Sequence, residues 1–231
     1  MQSFDILRII FVLIPMILAL TVHEYSHARS AYMLGDDTAA RMGRMTLNPI
    51  SHIDPLGTLI IPIIGLASGV PFFGWAKPVP ISPVRFTRKI RMKTGMLLTA
   101  AAGPVSNLMF ALLMAVVLGI VGPSAVKDIA AGVTNAHVAL VRLVGWTLVI
   151  NVGLFIFNLF PIPPLDGSKV LAGLLPDRYI HIMDFISQYS FVFFIALLVF
   201  GGQFISYPIL LIIDGLSKLV GFNIWWALMG M

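Results

Sequence analysis

Long uncharged apolar runs, broken by short clusters of charge, set the pattern along this chain. A helix needs about 20 apolar residues to cross a bilayer. Four runs meet that length: Phe4 to Met33, densest from Ile9 to Val22; Thr94 to Val126; Leu143 to Leu165; and Phe185 to Ile213. The last contains Gly201-Gly202 and Pro208, which fit either one kinked helix or a hairpin of two shorter ones. A fifth run, Leu56 to Ala76, is uncharged, but its dense part, Leu56 to Val70, is short and holds Gly57, Pro62, Gly65 and Gly69. Its length allows a thin span or a re-entrant element. The tail, Gly221 to Met231, carries Trp225 and Trp226, residues suited to a membrane interface. The pattern predicts an all-α polytopic membrane protein with about four to six transmembrane helices. A re-entrant or extended segment is expected between the first two full spans. No internal repeat or linker is visible, so residues 1–231 read as a single integral membrane domain.

Composition supports this and removes other classes. Of 231 residues, 58% are apolar and 11% charged, with mean hydropathy +0.96. A soluble domain carries about 25% charged residues, so a soluble globule, a disordered tail and a coiled coil are excluded. The pI near 9.7 first suggests nucleic acid. The +5 net charge, however, sits in short loops between apolar runs, where it reports orientation, and no nucleic-acid partner is expected. Eight basic residues lie between Gly35 and Lys93: Arg41, Arg44, Lys77, Arg85, Arg88, Lys89, Arg91 and Lys93. Only Lys127 follows before Arg142, so residues 77 to 93 are placed on the cytoplasmic side of a cell membrane. The head MQSFDILR sets Asp5 against Arg8, and no small-residue cleavage site follows. The first run is therefore expected to be a span and not a cleaved signal. Cys is absent, which rules out disulfides and thiolate metal sites.

Chemistry concentrates at the far end of the first run, in His23-Glu24-Tyr25-Ser26-His27. Residues four apart share a helix face, so His23 and His27 can hold one Zn²⁺ while Glu24 acts on water as general base. Glu24 is the only glutamate in the chain, and ionisable groups inside a span are costly unless functional. The bland alternative is a polar patch joining helices. A catalytic zinc takes a third protein ligand and keeps a fourth position open. The remaining histidines are His52, His137 and His181, but the strongest candidate is Asp166, at an ordered break after Pro161, Pro163 and Pro164. Asp166 also reads as an N-cap for a helix from Gly167 to Leu175. If Asp166 and His23 bind one metal, both lie at exits on the same side, because His23 stands about 26 Å along the helix from Ile6. Two crossings separate Asp166 from residues 77–93, which makes that side cytoplasmic. Leu56 to Val70 then cannot cross fully and is re-entrant or buried in a groove.

HEYSHA, AGPVSN (Ala102 to Asn107) and NLFPIPPLDG (Asn158 to Gly167) together resemble the site-2 protease family of intramembrane zinc metalloproteases. The likeness is closest to its short form without PDZ or CBS domains, and LNPISHIDPLGTL (Leu47 to Leu59) and FGWAKPVP (Phe73 to Pro80) look like signatures of that branch. It covers roughly residues 20 to 175, and departs at Ser168-Lys169, where many relatives read Gly-Arg. The resemblance implies one zinc per chain on His23, His27 and Asp166, with Glu24 as catalytic base. It also implies a catalytic part for Asn158, whose amide can stabilise an oxyanion, though the same amide can simply cap neighbouring carbonyls. The implied reaction is hydrolysis of peptide bonds within or near transmembrane segments of membrane-protein substrates. Pro71, Pro78, Pro80 and Pro83 stud an extended stretch, Phe73 to Val84, that offers a strand edge to an unwound substrate. A metal-ion transporter and an inactive binding partner are the rivals. Asn107 reads as a helix-to-helix hydrogen bond and His52 as a titratable group facing the site. His137 and His181 read as interface residues, and Asp214 has no reading. No feature specifies an oligomeric state.

Overall fold

A computed structural model describes residues 6–68 and 74–228. Phe4 and Asp5, Gly69 and Val70, Pro71 and Phe73, and the last three residues of the tail lie outside the described residues. The elements are α1 (Ile6–Met33), α2 (Thr38–Arg41), α3 (Ile61–Ser68), α4 (Met92–Ala130), α5 (Ala136–Asn158), α6 (Asp166–Leu174), α7 (Ile180–Gln188), α8 (Ser190–Phe200) and α9 (Gly202–Val220). No strand occurs among the described residues. Four helical stretches are long and apolar enough to cross a membrane: Ile9–Met33, Met92–Ala130, Ala136–Asn158 and Gly202–Val220. Asp177–Gln188 and Ser190–Phe200 form a further pair bent by 69°. This is the expected all-α, multi-pass class.

Several ends differ from the run lengths in the sequence. α5 stops at Asn158, not Leu165, because a helix disfavours the positions before Pro161 and Pro163. α4 extends at both ends to 39 residues, about 58 Å at 1.5 Å per residue, longer than the hydrocarbon core. The Phe185 to Ile213 run is not one continuous helix. It is divided at Tyr189 and again at Gly201, and α9 alone has spanning length.

α1 packs on α4 and α5, α4 on α5 and α6, and α9 on α4 and α5. The apolar core lies between α4, α5 and α9, with Leu118, Leu148 and Ile213 fully buried. The tail folds into it through Ile224, Phe222 and Ala227. Trp225 and Trp226 pack against this core, and the indole N–H of Trp225 donates to Asp214 Oδ1 at 3.1 Å, which gives that isolated acid its partner.

Between α1 and α4 the chain makes an excursion and returns. Asp54 accepts the N–H groups of Leu56 and Gly57 at 3.1 and 2.8 Å, capping the turn that starts at Pro55 and continues into α3. From Gly74 the chain runs extended, and it runs back beside its own entry. Trp75 N–H donates to Gly57 O (3.2 Å) and Lys77 N–H to His52 O (2.9 Å), while the Thr58 hydroxyl donates to Trp75 O (2.7 Å). Pro55–Ser68 is below spanning length. The segment therefore leaves at the level at which it entered, as a re-entrant element does. Residues 74–82 are called the strap below. The far end of the strap is held by the buried carboxylate of Asp36, which accepts Ser82 N–H at 2.6 Å. Next to the start of α4, the Lys93 ammonium donates to the exposed Asp177 carboxyl and holds it below the ordinary carboxylate range.

Candidate metal centre

His23 and His27 stand one turn apart on α1 with their ring centroids 4.5 Å apart and nearly perpendicular. Their Nε2 atoms are 3.0 Å from each other. Asp166 Oδ2 lies 3.1 Å from His23 Nε2 and 3.0 Å from His27 Nε2. All three side chains are buried. The proline-bearing link after α5 and the close approach of Gly167 to Leu159 bring Asp166 there. A Cβ at Gly167 would overlap the Leu159 carbonyl, so only glycine lets α6 begin against the end of α5. Asp166 opens α6 without capping it: the N-cap position is Leu165, and no side chain caps that end. The N-cap reading of Asp166 thus gives way to a carboxylate turned onto the histidines. Lys169 approaches Asp166 Oδ1 at 3.6 Å.

The donor set fits a zinc ion. Tetrahedral bonds of about 2.0–2.1 Å separate ligand atoms by roughly 3.3 Å, a few tenths beyond the spacing seen. The outward nitrogens are also engaged. His27 Nδ1 donates to Thr99 O (2.7 Å) and His23 Nδ1 to Asn107 Oδ1 (2.6 Å), which leaves both Nε2 lone pairs for a metal. Gly103 of the AGPVSN stretch makes room for the pair, since a Cβ there would overlap the rings of His27 and His23.

Glu24 is buried beside the histidines, and its Oε2 accepts the backbone N–H of Val79 at 2.8 Å, so the strap lies directly on it. These groups line a cleft of about 430 Å³ whose other walls include Met96 of α4, Leu154 and Phe157 of α5, and Phe194 of α8. Asn158 lines the same cleft, but its amide nitrogen donates to Leu154 O at 3.0 Å, the capping alternative. It makes no hydrogen bond to the His–Asp cluster. His52 does not face the cleft. It is buried at the base of the re-entrant element, with Nε2 on Thr46 O at 2.8 Å. The half-buried His137 bonds Ser124, and the exposed His181 bonds the Arg178 carbonyl. Sequence reasoning missed the Val79 amide and Asn151, which accepts from Asn107, and it did not place Gly103 against the histidine rings. Asn151 carried a signal, a polar side chain in the middle of an apolar run.

Two histidines and an aspartate thus converge beside a buried glutamate inside a multi-pass helical bundle, a donor set that can hold a metal ion. The chain belongs to Peptidase family M50, whose profile matches residues 11–201. The resemblance to the site-2 protease family is borne out by this match. The chain is 37% identical over 201 residues to "Putative zinc metalloprotease YwhC" of Bacillus subtilis, covering 87% of this chain and 85% of the relative. It is 28% identical over 196 residues to "Putative zinc metalloprotease Rip2" of Mycolicibacterium smegmatis, covering 82% and 67%. The Mycobacterium tuberculosis protein of the same name is 28% identical over 189 residues, covering 81% and 66%. No solved structure matches the chain.

Proposed function

We propose that this chain is a zinc metalloendopeptidase that hydrolyses peptide bonds within or near the transmembrane segments of membrane-protein substrates. The observation that carries the reading is the convergence of His23, His27 and Asp166 within 3.1 Å of one another, in the cleft that also holds Glu24. In this reading residues 1–231 act as one integral membrane metalloprotease domain, with one zinc per chain on those three residues. Zinc, when bound, supplies the positive charge that acidifies water and polarises a scissile carbonyl.

The chain's own groups do the rest. Glu24 takes a proton from water and passes it to the leaving amine. Val79 N–H, on Glu24 Oε2, fixes the carboxylate's orientation for that task. Asn158 donates one amide hydrogen to Leu154 O, and its second N–H serves the developing oxyanion. The burial of the cluster excludes bulk water and strengthens each of these interactions.

A helical substrate must unwind, because its amides are otherwise hidden in its own hydrogen bonds. The strap is placed to receive the opened strand. Trp75, Lys77 and Val79 spend their N–H groups on Gly57, His52 and Glu24, while Pro78 and Pro80 have none. The strap therefore offers a substrate mainly carbonyl acceptors along the cleft. The site opens toward the cytoplasm in this account. Lys77 returns beside His52, so the eight basic residues from Arg41 to Lys93 share one side, as the charge rule favours.

The test is to reconstitute the protein in lipid vesicles with a panel of single-span substrates and map the fragments by mass spectrometry. Cuts within or near the apolar span are expected. A panel left intact, together with zinc entering the vesicles, would support transport instead.

A further inference from the structure

Two fully buried asparagines occupy the middle of the bundle, Asn107 on α4 and Asn151 on α5. Neither belongs to the His–Asp cluster, yet one hydrogen-bonded line joins both to it. Asn151 Nδ2 donates to Thr147 O (2.8 Å), Asn107 Nδ2 donates to Asn151 Oδ1 (2.7 Å) and to Ala19 O (3.1 Å), and Asn107 Oδ1 faces His23 Nδ1 at 2.6 Å.

The direction of this line is fixed at its ends. Backbone carbonyls accept and never donate. Thr147 O therefore holds the nitrogen of Asn151 toward itself, which turns the Asn151 oxygen to Asn107. Ala19 O and that oxygen together hold the Asn107 nitrogen, which turns the Asn107 oxygen to His23. His23 Nδ1 must then carry the proton, and Nε2 is left bare toward Asp166 and His27. Three helices contribute, since Ala19 and His23 are on α1. Polar groups buried this deeply in a span are costly unless they are fully paired.

We infer that Asn151 is a positioning residue which, through Asn107, locks His23 in the one tautomer and ring orientation that can ligate a metal. The inference rests on the metal site proposed above and extends it by two residues that touch neither metal nor substrate. Partners of this kind typically change metal affinity by about 10–100-fold when removed from a ligating histidine. Asn151 acts one residue further out, so about 10-fold is expected.

The experiment measures Zn²⁺ affinity of the purified full chain by competition with a chelator, in wild type, Asn151→Leu and Asn151→Asp. Leu keeps the γ-branched outline of Asn and suits a span but offers no acceptor to Asn107. A protonated Asp keeps both bonds, accepting from Asn107 and donating to Thr147 O. The expected result is about 10-fold weaker zinc binding in Asn151→Leu and near wild-type binding in Asn151→Asp at neutral pH. Helical content and the melting temperature of the metal-free protein accompany each value, since a purely structural role would move those and not the rescue. Equal affinity in wild type and Asn151→Leu overturns the inference, and so does equal weakening in both variants. A wild-type chain that binds no zinc overturns the metal site itself, and this inference with it.

Discussion

Gly103 shows how narrow the tolerances are at a single residue. Any side chain there meets the His27 and His23 rings, so Gly103→Ala must push one imidazole away from the cluster. We expect zinc affinity to fall by at least about 10-fold while the helical spectrum stays unchanged, a comparison made by chelator competition beside circular dichroism. Asp166→Ala makes a second test. Because Asp166 does not cap α6, its removal should strip zinc without shortening that helix. Loss of helix with zinc retained would restore the capping role. The histidine pair was legible in the sequence because its geometry is local: four residues on a helix fix a face whatever surrounds it. Asn107 was legible as a helix-to-helix hydrogen bond, and the structure bears that out, but its partners His23 and Asn151 were not. Which residue of another helix meets His23, 84 positions away, depends on how each helix is rotated, and helices apolar on all sides carry no stripe that fixes rotation.

At the scale of elements, the strap joins fold to chemistry. Asp36 holds one end through Ser82, Arg44 donates to Lys77 O, and Glu24 takes the Val79 amide between them. Replacing residues 77–82 with a flexible linker should abolish cleavage and leave zinc bound, and unchanged cleavage would remove the strap from the mechanism. The prolines marked Phe73 to Val84 as extended from the sequence; residues 74–82 hold no helical turn, but Pro83–Arg85 closes into a 3-10 turn. The strap's contact with Glu24, 55 residues away, had no sequence signal because a backbone amide carries no side-chain identity. His52 went the other way. Its place in a Gly- and Pro-rich segment suggested a group facing the site, but its ring is used on Thr46 O to hold the base of the excursion. The run from Phe185 was equally opaque. Hydropathy gives its length but says nothing of a bend of 69° before α8, whose Phe194 closes one wall of the cleft.

Across the whole molecule the account requires a definite topology. The excursion returns to its own side, α4 and α5 cross and recross, and Asp166 follows on the side that receives the first helix. The chain has no Cys, so single cysteines introduced at exposed positions report sidedness without background. Met42→Cys and Lys89→Cys should be labelled by an impermeant reagent from the cytoplasmic face, and Thr134→Cys from the opposite face. Labelling of Met42→Cys and Lys89→Cys from different sides would make Pro55–Ser68 part of a full crossing and undo the shared site. The central claim is that Glu24 acts beside a metal held by His23, His27 and Asp166. Its most direct test pairs bound zinc with cleavage of a single-span substrate in the same vesicle preparations of wild type and Glu24→Gln. About one zinc per chain is expected in both, with cleavage reduced by about 10²–10⁴-fold in the variant. Undiminished cleavage by Glu24→Gln, or cleavage by a wild-type chain that holds no zinc, would contradict it.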